Sequence, residues 1–198
     1  MTTNRAALPL NRRAALLGGS ASVAALGLSS LRPAAAQESD LASHPLTGVW
    51  MAMANPPLPD EPQYAGPSIF SADGLVVLSS PVTQKGVNGA EFASDLIGVW
   101  AAESERRGHF TATQSISAAD GTLIGTVTVD GYPEVSEDGL TFIDDGHLVM
   151  VTIRDASGAI VHQIMPTGEP IPRPVTGIRM AVGAPGFPEL AADATPTN

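Results

Sequence analysis

Leu46-Thr47-Gly48-Val49-Trp50 is written a second time, with one residue changed, as Leu96-Ile97-Gly98-Val99-Trp100. These copies hold the two tryptophans of the chain. Each is followed by the same triplet, Ala72-Asp73-Gly74 after the first and Ala119-Asp120-Gly121 after the second. Asp-Gly suits the left-handed φ of tight turns. A strand-turn-strand unit used twice predicts a meandering antiparallel sheet. Such a sheet removes its edges by closing on itself.

The flanking sequence extends the pattern. Residues 46 to 53 form a first apolar strand. Asn55 to Pro62 contains four prolines, which remove donors and fix φ, so a stiff extended loop is expected there. Ser68–Ser71 and Leu75–Ser80 form a hairpin around Asp73-Gly74, and residues 81 to 94 read as a second loop. After a strand at Ile97–Ala102, His109–Ser117 alternates strictly. Phe110, Ala112, Gln114 and Ile116 share one face; His109, Thr111, Thr113 and Ser115 share the other. Leu123–Asp130, Leu140–Ile143, His147–Arg154, Ala159–Met165 and Val175–Val182 follow as strands. Gly131–Asp138 is an acidic turn, and Pro166–Pro174 a proline-rich connection. No window outside the N-terminus carries a capped 3.6-residue period. The fold class expected is all-β, an antiparallel up-and-down barrel of about 8–10 strands.

The N-terminus sets the compartment. Arg5, Arg12 and Arg13 precede an uncharged apolar run, and Ala34-Ala35-Ala36 supplies a small-residue cleavage site. Arg12-Arg13 before Ala-Ala-Leu-Leu resembles a twin-arginine signal, although Asn11 and Ala15 depart from the usual pattern. The run is shorter than a spanning helix requires. Residues 1–36 are therefore read as a signal peptide cleaved near Ala36, 37–182 as one barrel domain, and 183–198 as a flexible tail. The location expected is periplasmic or secreted, without stable membrane insertion. The chain has ten basic and twenty acidic residues and no cysteine. Four of the basic residues fall in the signal. The remaining surface is strongly acidic, which argues against nucleic acid and anionic membranes. Oligomeric state is not legible.

Gly48-Val49-Trp50 opening the first strand of a small exported all-β chain resembles the calycin group, the lipocalins and their bacterial relatives. The resemblance implies that Trp50 closes the barrel floor and that a late arginine, Arg173 or Arg179, packs on its ring. It also implies an interior able to hold one small, partly apolar molecule.

Candidate ligand contacts follow. Trp50 and Trp100 would line or floor the cavity. His162, between Ile160 and Ile164, would face inward. His109 would stand near the rim, and Tyr64 would belong to a lid formed with Leu58. A second reading is a cofactor-free isomerase, cyclase or hydrolase, with His109 as acid or base and Arg106 or Arg107 steadying an oxyanion. A third is a structural or interaction domain without ligand. No Gly-x-Ser-x-Gly elbow or phosphate loop occurs. His147 beside Asp144-Asp145 matches no cation-loop spacing, so no metal and no cofactor are assigned.

Overall fold

A computed structural model describes residues 41–55, 62–86 and 89–183. Thirteen strands form one antiparallel sheet: β1 (Gly48–Ala54), β2 (Tyr64–Phe70), β3 (Leu75–Leu78), β4 (Thr83–Gly86), β5 (Gly89–Ala93), β6 (Leu96–Ala102), β7 (Gly108–Ser117), β8 (Leu123–Gly131), β9 (Glu134–Val135), β10 (Thr141–Asp144), β11 (Met150–Asp155), β12 (Ile160–Ile164) and β13 (Val175–Arg179). Across the sheet the order is β12-β11-β8-β7-β6-β3-β2-β1-β13-β10-β9. Most neighbours are consecutive in the chain, as in a meander; the exceptions are β3–β6, β8–β11, β10–β13 and β1–β13.

The sheet curls into a half-barrel. At one end β9 returns to the start of β7. Glu134 bridges to Arg107, Gly108 N–H donates to the Pro133 carbonyl at 3.0 Å, and Val135 N–H donates to that of Arg106 at 2.9 Å. That contact joins β7, β6, β3, β2, β1, β13, β10 and β9 into a ring of eight. Beyond it, β8, β11 and β12 carry the sheet on to the outer edge of β12, which pairs with no further strand among the described residues.

The repeated phrase opens two matching units, β1-β2-β3 and β6-β7-β8. Their turns are alike: Gly74 N–H donates to Ser71 at 3.1 Å, and Gly121 N–H to Ala118 at 2.9 Å, with φ of 85° and 83°. The alternation of β7 is as expected, with Phe110, Ala112, Gln114 and Ile116 buried. Inward positions of the ring form the main core, in which Leu46, Trp50, Phe70 and Val76 are shut off from solvent.

Four local readings change. Residues 81–94 contain the β4–β5 hairpin, closed by the Gly86↔Gly89 pair. The acidic turn contains β9, whose two residues suffice to close the ring. β2 starts at Tyr64 and runs through Pro67, which sits opposite Met51. The Pro67 carbonyl faces the β3 side and accepts from Ser79 N–H at 2.9 Å, so the donor that proline lacks is lost only at the end of the β2–β3 ladder and not from the pairing with β1. Leu41–Ser43 is helical. The signal segment, the loop core with Leu58 and the C-terminal tail lie outside the described residues.

Candidate functional site

Trp50 and Arg179 are register partners on β1 and β13. The Trp50 ring is fully buried, and its Nε1–H donates to the Leu46 carbonyl at 2.8 Å. The Arg179 guanidinium carbon lies 4.2 Å from the ring centroid, close enough for cation–π attraction. The guanidinium also gathers three carbonyls: Gly139 from Nε at 2.7 Å, Thr47 from Nη1 at 3.0 Å, and Pro45 from Nη2. Gly48 makes room for this. Its φ is +143°, and a Cβ there would stand 2.7 Å from Nη1. The Gly-x-Trp phrase thus has a local physical reason. Of the two late arginines, Arg179 is the one on the ring. Replacing Arg179 with Lys keeps the charge but not the planar fork. The expected cost is about 2 kcal/mol, read as a lower denaturation midpoint in urea.

Above this floor is a cavity of about 810 Å³. Phe70, Phe110, Phe142, Leu96, Val127 and Val129 supply much of its wall. The tryptophans form the layer beneath. Trp50 meets Phe142 edge-on at 5.2 Å, and Trp100 meets Phe70 at 5.7 Å. Trp100 Nε1–H is committed to the Ser71 carbonyl at 2.9 Å, so neither indole N–H is offered to the interior. His44 backs Trp100 from the other side, with Nδ1 accepting from Leu46 N–H at 3.1 Å and Nε2 3.0 Å from the Ser104 carbonyl.

A few polar groups interrupt the apolar wall. The Tyr64 hydroxyl lies 3.4 Å from Ser80 Oγ, and burial pushes its pKa up, so it stays neutral at physiological pH. Asn55 Nδ2 donates to the Arg173 carbonyl at 2.7 Å, while its Oδ1 is buried without a partner among the described residues. Gln114 is 2% exposed, and its Oε1 has no partner among the described residues. Asp144 takes Tyr132 N–H on Oδ2 at 2.7 Å and Gly146 N–H on Oδ1 at 3.1 Å. Burial nevertheless raises its pKa, outweighing those two bonds.

This shift fixes a sign. The folded-state pKa of Asp144 lies above the usual 3.8, so between the two values the folded chain binds the proton more tightly than the unfolded one. The stability contributed is greatest below 3.8 and falls as pH rises through the folded value. Wild type minus Asp144→Asn, measured in urea at pH 4 and pH 7, should therefore favour wild type more at pH 4.

Of the residues expected to contact ligand, Tyr64 lines the cavity and the two tryptophans underlie its floor. The others stand elsewhere. His109 is on the outer face of β7, stacked on Tyr132 at 4.3 Å, with Nε2 3.7 Å from Asp130. Arg107 pairs with Glu103 at 2.7 Å and Arg106 with Glu134 at 3.6 Å. None of these three lines the cavity. The inward orientation expected for His162 does not hold. β12 is an edge strand, its register against β11 shifts at Ile153/Arg154, and Ile160 to Gln163 are all exposed. His147 bonds Asp145, whereas Asp144 turns inward. Among the described residues no group of three or more His, Asp or Glu could hold a metal ion, and no helix is long and apolar enough to cross a membrane.

Gln114 and Asp144 were not singled out from the sequence. A glutamine in the apolar register of Phe110, Ala112 and Ile116 was the available signal for the first. The second was hidden in an Asp-Asp-Gly turn, where a solvated pair is the ordinary reading. No protein-family model, curated protein or solved structure matches this chain.

Proposed function

We propose that this chain is an exported, calycin-like barrel that binds one small, partly apolar molecule. The observation that carries the reading is the cavity of about 810 Å³. Its size and lining are those of a small-molecule site, apolar with a few convergent polar groups. A solid structural domain has no need of such a space. The Arg179–Trp50 floor is what the calycin resemblance implies, and it supports the same reading.

Native mass spectrometry of the protein purified from its host's export compartment tests it. The expected spectrum contains a retained small molecule. Val129→Trp, which fills the cavity, should lose that molecule while keeping the far-ultraviolet circular dichroism of wild type. A bare wild-type chain that also fails to take up the apolar dye diphenylhexatriene would overturn the proposal. Export is tested separately. Exchanging Arg12-Arg13 for Lys-Lys is expected to abolish it, and continued export would assign the general secretory route.

A further inference from the structure

We infer that Gln114 is the polar anchor of the cavity and selects a neutral ligand, an apolar body bearing a hydroxyl or amide, over a carboxylate. This inference rests on the binding reading above and deepens it.

Three observations meet here. The first is the state of Gln114 itself. It stands on the inner face of β7 between Ala112 and Ile116, opposite Val127, and is 2% exposed. Its Oε1 is buried with no partner among the described residues. An unpaired buried acceptor is costly. β7 has apolar residues at every other inward position, so an apolar side chain would pack here without that cost. The amide presents a donor and an acceptor in one plane. A hydroxyl or an amide on a ligand can answer both at once.

The second observation is the charge around it. The wall near Gln114 is Leu96, Val127, Val129 and Val151, which offer no counter-charge to an anion. The ionisable carboxyl of the lining is Asp144, which would repel a carboxylate when charged. Arg173 is the cation of the lining and sits on the segment leading into β13, three strands round the ring from β7. A ligand anchored there would leave Gln114 unanswered.

The third is the long-range field. The chain carries a formal net charge of −10, which lowers the local concentration of anionic ligands before any contact is made.

The test compares two ligands of equal chain length, 1-decanol and decanoate, displacing diphenylhexatriene from the full chain at pH 8. Wild type should bind decanol at least about ten-fold more tightly than decanoate. Gln114→Leu, close in volume to the original side chain, should weaken decanol by about 3- to 10-fold, the worth of one or two net hydrogen bonds. The same variant should hold diphenylhexatriene as tightly as wild type or more so, which also shows that its cavity is intact. Equal or tighter binding of decanoate overturns the inference and moves the anchor to Arg173. Decanol affinity unchanged in Gln114→Leu overturns it as well. Failure of wild type to take up the hydrocarbon dye at all is a different result: it removes the binding reading, and the anchor with it.

Discussion

Trp50→Ala is expected to lower the unfolding free energy by about 3–5 kcal/mol. The ring is 0% exposed and packs edge-on against Phe142. Its removal leaves three things behind: a cavity in the floor, the Leu46 carbonyl without its indole donor, and the Arg179 guanidinium without the face it covers. Trp50→Phe separates these effects. It keeps an aromatic body under Arg179 and loses the N–H, so its cost should be nearer 1–2 kcal/mol. Urea denaturation followed by circular dichroism measures both. A loss under about 1 kcal/mol for Trp50→Ala would remove Trp50 from the load of the floor.

Gly98→Ala is expected to cost about 3 kcal/mol, at the upper end of overpacking penalties. One methyl group is added, yet its carbon would lie 1.9 Å from the Thr111 carbonyl oxygen and 2.5 Å from the Ala112 Cα. Both are backbone of β7, so no rotamer change gives way, and β6 and β7 must part along their ladder. Gly121→Ala is the contrast. There φ is +83° but nothing stands within 4 Å, so the penalty is conformational only, about 1–2 kcal/mol. The order Gly98 worse than Gly121 is the measurable claim. The reverse order in denaturant midpoints would mean that β6 and β7 separate cheaply.

Gly98 belongs to the repeated phrase, and its role shows what the sequence carried and what it did not. The phrase marked two equivalent strands, and both became the first strand of a three-strand unit. The alternation of β7 placed every inward residue correctly, because period 2 is enforced on any strand with one buried face. The physical need for Gly98 was invisible, since it arises from the approach of a neighbouring strand. The hairpin β4–β5 was obscured by Pro81 and Gly86, although Asn88-Gly89 is itself a hairpin signal. β9 was beyond reach for a different reason. Two residues after a proline have no periodicity, and their pairing is set by ring closure rather than by local propensity. The site divides in the same way. The pairing of Trp50 with a late arginine was legible from the motif, whereas Tyr64 was read as part of a loop lid and stands on β2. His162 was placed inward by alternation that an edge strand does not enforce, and Asp144 was concealed because it ends β10 on the inward face of Phe142, where the sequence reads as an Asp-Asp-Gly turn.

The pairing of β1 with β13 has a consequence for the order in which this molecule is completed. Arg179 holds the carbonyl of Thr47 across 132 residues of chain. A chain emerging from the ribosome can build β1-β2-β3 and β6-β7-β8 from local hairpins as each appears. It cannot close the ring until β13 is available, and contacts this distant are the slow ones to form. A chain cut short before Val175 leaves Trp50 uncovered by Arg179 and β1 unpaired along one side, an edge that invites aggregation or proteolysis. The same arginine that steadies the floor therefore distinguishes a finished molecule from a fragment.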